Sequence, residues 1–253
     1  MTTDEDILRK RLTELAQKAD TNGLYTYTGF LSIAQIAVFH SMLPRLGDIP
    51  YTLWGGTQGC ERQMLRFGSA ELCGYSENMP VLCVQVTPLS RKFADELTHR
   101  DFLGALMSLA IERSTLGDII IKNNVGYVFC VDRIAPYITE SLTQIKHTSV
   151  HSALTSDIPC GALYAVTADI VQVTSERIDA IIARAYKLSR SESLDMFRTK
   201  HVFINGALCE DNSHIPKNND IVSVRGFGRF IYRGVEGTSK KGKLKVMIAK
   251  YEG

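Results

Sequence analysis

The sequence predicts an α+β protein of three units: a small N-terminal α/β unit over residues 1–76, a ferredoxin-like (RRM-like) middle domain over 77–165, and a basic C-terminal module over 175–253. Three observations predict it. The middle of the chain places apolar runs in the order β-α-β-β-α-β, which is the split-βαβ motif. Two-residue turn signals, Asn123-Asn124 and Asn205-Gly206, each follow a run of strand-forming residues. Charge is divided unevenly: residues 1–176 carry 14 Lys+Arg against 19 Asp+Glu, whereas residues 177–253 carry 15 against 8, so a net charge of +2 conceals a basic last third.

In the first unit, Ile7, Leu8, Leu12, Leu15 and Ala19 recur at helical spacing, and Asn22-Gly23 supplies the stop. Ser32 is placed to cap a second helix, IAQIAVFHSML, which Pro44 should end. Pro50 to Trp54 reads as a short strand entering the glycine turn Gly55-Gly56, and Glu61 to Phe67 as a short helix.

The middle unit opens with a strand, Val81 to Val86, followed by a helix from Asp101 through Leu109. Strands Asp118–Lys122 and Val125–Val131 flank Asn123-Asn124, a pair that tolerates positive φ. Ile134 to Leu142 reads as the next helix and Thr148 to Leu154 as the last strand. Many unrelated functions use this arrangement, so it predicts a shape and no activity.

A link, Ala168 to Glu176, leads into the basic module. Ile178, Ile181, Ile182 and Ala185 form one stripe of a helix over Arg177 to Lys187, leaving Arg177, Arg184 and Lys187 for solvent. Ser189 to Lys200 makes a second helix anchored by Leu194 and Phe197. Val202–Ile204 and Ile221–Arg225 read as strands, and Arg229–Val235 should pair with Lys243–Ala249 across the turn GTSKKGK.

Composition narrows the class. No apolar run approaches the ~18 residues of a membrane span, and no apolar segment follows the charged N-terminus, so a cytoplasmic protein is expected. The six cysteines are scattered without a C-x-x-C pair, which predicts buried, reduced thiols and neither disulfides nor a zinc site. His147 and His151 lack a third ligand, and Gly237-x-x-x-x-Gly242-Lys243 is followed by Leu244 where a phosphate loop needs Ser or Thr. No metal, cofactor, small-molecule substrate or catalytic residue is therefore expected.

A localised positive field points first to nucleic acid. In KLSRSESLDMF, Ser189 and Glu192 form a capping box, a structural device that needs no ligand. The same helix end exposes backbone N–H groups and the positive end of the dipole, where anions bind. Around it lie Lys187, Arg190, Ser191, Arg198 and Lys200, more cations than a cap requires. Tyr127 and Phe129, on one face of a strand, are candidates for base stacking. The flanking basic residues of an aromatic RNA-recognition strand are missing, which favours the competing reading that both pack within the protein.

The order R-I-D-x-x-I, L-S-R-S, V-x-I-N-G in Arg177 to Gly206 resembles an S4 RNA-binding domain, of αL type, in which two helices pack as an L beside a hairpin. Position by position, the resemblance implies that Arg177, Ser189, Arg190, Ser191, Arg198 and Asn205 face RNA. Lys200 stands where that family commonly has glycine. Together with HRDFLGALMSLAIERSTLGDIII, LSRSES, DIVSVRGFGRF and Gly55-Gly56 followed by Glu61-Arg62, the chain resembles the YlmH family. That resemblance implies a non-enzymatic protein binding ribosomal RNA or tRNA on the large ribosomal subunit. Its members are linked to peptidyl-tRNA in rescue of stalled nascent chains and to cell division. Lys187, Arg190, Arg198, Lys200, Arg225, Arg229, Lys240, Lys241 and Lys243 would neutralise phosphates. The alternatives are an S4-bearing RNA-modifying enzyme such as a pseudouridine synthase, disfavoured because Asp179 continues into Ala180-Ile181-Ile182, and a division adaptor that docks on protein or membrane.

Overall fold

A computed structural model describes residues 3–90, 92, 94–158 and 166–251. It is a mixed helix-and-sheet protein that divides into two compact units, residues 1–163 and 164–253, so the first two expected segments form one unit.

In the first unit, helix α1 (Asp4–Asn22) starts at a capping box, where Thr3 Oγ accepts from the Asp6 N–H and the Asp6 carboxylate accepts from the Thr3 N–H. It ends at Gly23, whose φ of 59° is the left-handed conformation a helix stop requires. Strand β1 (Thr26–Leu31) follows, then α2 (Ile33–Leu46), which Ser32 and Gln35 cap reciprocally. Pro44 does not end α2 as expected. It falls in the last turn, where the lost N–H costs one hydrogen bond and two further residues complete the helix. Strands β2 (Tyr51–Trp54) and β3 (Gln63–Phe67) and the single turn α3 (Ala70–Cys73) complete this part, with sheet order β1-β3-β2.

Residues 61–67, expected as a helix, hold the central strand β3. Met64, Leu65 and Phe67 are all buried, because β3 has apolar neighbours on both faces. A strand buried on both sides loses the alternation that would distinguish it from helix.

The remainder of the unit is β4 (Val81–Pro88), α4 (His99–Ser108), β5 (Leu116–Lys122), β6 (Val125–Val131), α5 (Ala135–Ser141), β7 (Gln144–Ile145) and β8 (Thr148–Thr155). The antiparallel sheet has the order β5-β6-β4-β8-β7, and its four long strands with α4 and α5 are connected as a split βαβ. Asn123 and Asn124 turn the hairpin at φ 52° and 62°. His147 and His151 lie beside and within β8.

The helices cover one sheet face through Val84, Val86, Phe102, Leu106, Val128 and Ile138. On the other face, Cys83, Ile120 and Phe129 meet Phe30, Cys60 and Met64 from the N-terminal strands and loop. Phe129 is therefore fully buried, which corrects its candidacy for base stacking. Tyr127 is half-buried beside it, with Gln85 Nε2 donating to its hydroxyl at 3.2 Å. Burial pushes the thiols of Cys60, Cys83 and Cys130 up to about 12, Cys73 and Cys209 are partly covered, and Cys160 lies outside the described residues.

A polar joint sits within this apolar contact. The buried Asp118 carboxylate accepts from the N–H groups of Glu61 at 2.6 Å and Arg62 at 3.3 Å. Arg62 Nε donates to the Leu116 carbonyl at 2.9 Å, and its Nη2 donates to the carbonyls of Phe30 at 2.9 Å and Arg113 at 3.1 Å. Burial, reinforced by the neighbouring Arg113 charge, lowers the Arg62 pKa to about 10. Gly56, at φ 107°, lies where a Cβ would overlap the Phe129 ring.

The second unit contains β9 (Val166–Val173), α6 (Ile178–Ala185), α7 (Arg190–Arg198), β10 (Val202–Ile204), β11 (Ala207–Leu208), β12 (Ile221–Val224), β13 (Gly228–Thr238) and β14 (Leu244–Tyr251). Its sheet order is β11-β10-β12-β13-β14-β9. Most of the expected link 168–176 is β9, which pairs with β14 from Val166↔Tyr251 to Val173↔Leu244. Its polar residues are those of an edge strand, while Val171 and Val173 reach the core.

Both helices pack on one face of this sheet, through Ile178, Ile181, Ile182 and Phe197 against Val222, Phe230, Val246 and Ile248. Leu194, an expected anchor, is only half-buried. Ser193 is the buried residue beside Phe197, and its hydroxyl donates to the Asp179 carbonyl at 2.7 Å, tying α7 to α6. Among the described residues no helix is long and apolar enough to cross a membrane.

Arg62→Ala removes three hydrogen bonds to backbone carbonyls and the cation beside the buried Asp118 carboxylate, and should lower stability by about 3 kcal/mol or more in urea unfolding. Gly56→Ala should destabilise comparably through overlap with Phe129 and its left-handed φ, whereas Gly47→Ala, with open space around its Cβ, should cost less.

Candidate nucleic-acid interface

The turn between α6 and α7 is built by Lys187. It adopts φ 56°, and the next N–H, of Leu188, donates to the Ala183 carbonyl at 2.8 Å, closing α6 with a left-handed residue. This brings Ser189 to the N-cap of α7 in extended conformation, φ −68° and ψ 163°. Ser189 Oγ accepts from the Glu192 N–H at 3.2 Å, and the Glu192 carboxylate accepts from the Ser189 N–H at 2.7 Å. Those bonds hold the Glu192 carboxyl below its usual pKa. Ser189 Oγ also lies 3.1 Å from Ser191 Oγ. The first-turn N–H groups of Arg190 and Ser191 have no intrahelical acceptor and remain at the helix start.

This helix end opens on a cleft of about 500 Å³ formed by α6, the start of α7, the end of β9 and the start of the strand after the basic hairpin turn. Arg177, Arg184, Arg190 and Lys243 line it. Among the described residues its single lining carboxylate, Asp179, is buried and accepts from Arg177 Nε at 3.1 Å and Nη2 at 3.0 Å, and from the Ala180 N–H at 2.9 Å. The Asp179 bonds raise the Arg177 pKa further. Four cations against one satisfied carboxylate give the cleft a positive field suited to a polyanion. Arg184 follows Arg177 by seven positions on one helix face, the spacing by which the sequence could have included it.

The other expected residues fall elsewhere. Arg198 pairs with Asp195 at 3.1 Å and lines a separate depression with Glu210 and Asn212. Lys200 pairs with Glu210 at 3.2 Å. Asn205 is not part of the cleft: its Nδ2 donates to Asp220 at 2.8 Å and its Oδ1 accepts from the Ile221 N–H at 2.9 Å, so the side chain clamps the β10 turn to β12. Arg225 and Arg229 stack on Phe203 and Tyr251, each 4.7 Å from the ring centroid. Lys240 and Lys241 lie exposed in the β13–β14 turn, and Lys243 is held there by its N–H donating to Ser239 Oγ at 3.0 Å.

Lys200, which stands where the S4 pattern commonly has glycine, keeps a glycine-like backbone. It adopts φ 58°, and the following N–H, of His201, donates to the Met196 carbonyl at 2.8 Å.

A split-βαβ domain and a second unit with a cationic cleft define a modular protein that carries a surface suited to a polyanion. Residues 81–156 match the family described as "Putative RNA-binding domain in YlmH", in keeping with the resemblance to YlmH in the sequence. A curated relative is the "Ribosome-associated protein quality control protein P2" of Bacillus subtilis (strain 168), 32% identical over 160 residues. That match covers 61% of this chain and 62% of the relative, so the chain spans less than two thirds of that protein's length. A solved structure, "Cell division protein ylmH from Streptococcus pneumoniae", is 16% identical with a TM-score of 0.49 over 61% of this chain and 93% of that one.

Lys200→Gly should raise stability by about 0.5–1 kcal/mol in urea unfolding, because glycine avoids the left-handed penalty and the ion pair lost is exposed. Glu192 has a depressed pKa, so its contribution is present above the usual value of 4.5 and is lost as pH falls through the lower folded value. Stability measured against pH should fall less steeply below pH 4.5 in Glu192→Gln than in the parent.

Proposed function

We propose that this chain is a non-enzymatic, cytoplasmic RNA-binding protein whose second unit is an S4-type domain that grips structured RNA of the ribosome. The observation that carries the reading is the convergence of Arg177, Arg184, Arg190 and Lys243 on the capped start of α7. Backbone N–H groups at a helix start and guanidinium forks are donors matched to phosphate oxygens. Ser189 both caps α7 and aims Arg190 and Ser191, so cap and grip are one device. The basic hairpin turn of Lys240 and Lys241 and the turn cation Lys187 extend the same field, and Arg198 and Lys200 would reach RNA by exchanging exposed carboxylates for phosphate. Such contacts follow the shape of a folded RNA more than its base sequence.

The family of residues 81–156 and the relative named for ribosome-associated quality control support RNA and the ribosome as partners. We place the protein on the large subunit or its peptidyl-tRNA, in quality control of stalled nascent chains. Geometry speaks against the modifying-enzyme reading, because the Asp179 oxygens are taken by Arg177 and Ala180 inside the packed helix pair.

Arg190→Glu should weaken binding to ribosomal subunits by about tenfold or more and flatten the salt dependence, as loss of a phosphate contact does. Co-sedimentation across a salt series measures both. Unchanged sedimentation of a folded Arg190→Glu variant would overturn the reading, as would stoichiometric base conversion in unmodified ribosomal RNA.

A further inference from the structure

Arg177 is the N-cap residue of α6 and brings no capping oxygen. The helix start is satisfied from elsewhere. The N–H groups of Ile178 and Asp179 donate to the carbonyls of His214 at 2.8 Å and Asn212 at 3.3 Å, and the Ala180 N–H donates to Asp179 Oδ1 at 2.9 Å. That capping bond needs one oxygen of Asp179, yet both are engaged. Arg177 Nε donates to Oδ1 at 3.1 Å and Nη2 donates to Oδ2 at 3.0 Å, so the carboxylate holds the guanidinium by one edge. The Asp179 side chain is 6% exposed and that of Arg177 39%. Asp179 is fixed in turn from α7, because the buried Ser193 hydroxyl donates to its carbonyl at 2.7 Å. Two N–H groups of Arg177 therefore face Asp179, and the edge formed by Nη1 and Nη2 keeps the rest for the cleft that Arg177 lines.

Building on the reading of this cleft as an RNA grip, we infer that Asp179 is a positioning residue: it presents the Nη1–Nη2 edge of Arg177 to a backbone phosphate of the RNA, which that edge takes as a bidentate pair. An arginine free to rotate must be ordered when RNA binds, and Asp179 orders this one beforehand. The tie from Ser193 also keeps Arg177 in a fixed relation to α7, whose first residue is Arg190. A carboxylate beside a polyanion site has two opposed effects. By charge alone it repels RNA, so its loss should tighten binding; by positioning, its loss should weaken binding. Asp211 provides the comparison within the same site. It attracts Arg177 more weakly than Asp179 does, and its carboxylate accepts from the Ser213 N–H at 2.8 Å and hydroxyl at 2.6 Å.

The test measures binding of the full chain to purified large ribosomal subunits by co-sedimentation at one near-physiological salt concentration. Asp179→Asn keeps Oδ1 for the Ala180 N–H and turns an amide toward Arg177 Nη2, so the fork breaks while the cap stays. It should weaken binding about three- to tenfold even though it makes the cleft more positive. Asp211→Asn makes the same charge change without touching the fork, and should bind like the parent or more tightly. In an Arg177→Lys background, where no fork can form, Asp179→Asn should cause no further loss; a merely structural role would weaken binding in both backgrounds. The inference is overturned if Asp179→Asn binds as tightly as the parent or more so, if Asp211→Asn weakens binding equally, or if Asp179→Asn costs as much in the lysine background. Parent-like circular dichroism and urea midpoints establish that the variants are folded. Should Asp179→Asn not fold, Arg177→Lys decides by itself: a loss of about threefold or more upholds the fork, and a smaller loss overturns it. Arg190→Glu in the same series separates the two readings. If it binds like the parent, the cleft reading has failed and this inference with it; if it weakens binding while Asp179→Asn does not, only the positioning role has failed.

Discussion

The half-buried Arg62 guanidinium is the constraint on which the first unit depends. An arginine drawn partly out of water is tolerated only where its donors are met, and three backbone carbonyls from β1, the turn before β5, and β5 itself meet them. Asp118 adds the compensating charge and takes the N–H groups that begin the approach to β3. Removing either side would leave the other uncompensated, so the two sheets are held in one relation. Gly55-Gly56, which belong to the YlmH sequence pattern, then have a mechanical reason: the loop passes too close to Cys60 and Phe129 for a Cβ.

That relation has a functional side. A split-βαβ sheet often offers one open face, and here the Phe129 part of it is covered by the N-terminal strands. The family of residues 81–156 carries RNA binding in its description, yet aromatic stacking through Phe129 is closed off by packing. The second unit makes the opposite choice, with helices on one sheet face and arginine-capped rings on the other.

Local chemistry was legible wherever a residue acts on its near neighbours. Ser32, Ser189 with Glu192, Gly23, Asn123-Asn124 and Asn205-Gly206 all did what their positions imply. The stripe of Ile178, Ile181 and Ile182 gave the buried face of α6. What failed depended on distant partners. Residues 61–67 became strand because apolar neighbours arrive from both sides, and 166–173 became strand because β14 lies alongside. Asn205 looked like a ligand residue because it matches an RNA-facing position of the S4 pattern, but its amide bonds to Asp220 and Ile221, which are remote in sequence. In the cleft, Ser189, Arg190 and Arg177 were identifiable from pattern, whereas the separation of Arg225 and Arg229 onto another face required the register of the sheet.

The pairing of β9 with β14 means that the first and last strands of the second unit lie side by side, Val166 opposite Tyr251. Chain therefore enters and leaves this unit at the same edge. A domain with adjacent ends can be appended to, or inserted into, another architecture without rethreading its core. In this arrangement the second unit is built as a portable cassette, and the edge strand that looked like a linker is the seam that closes it.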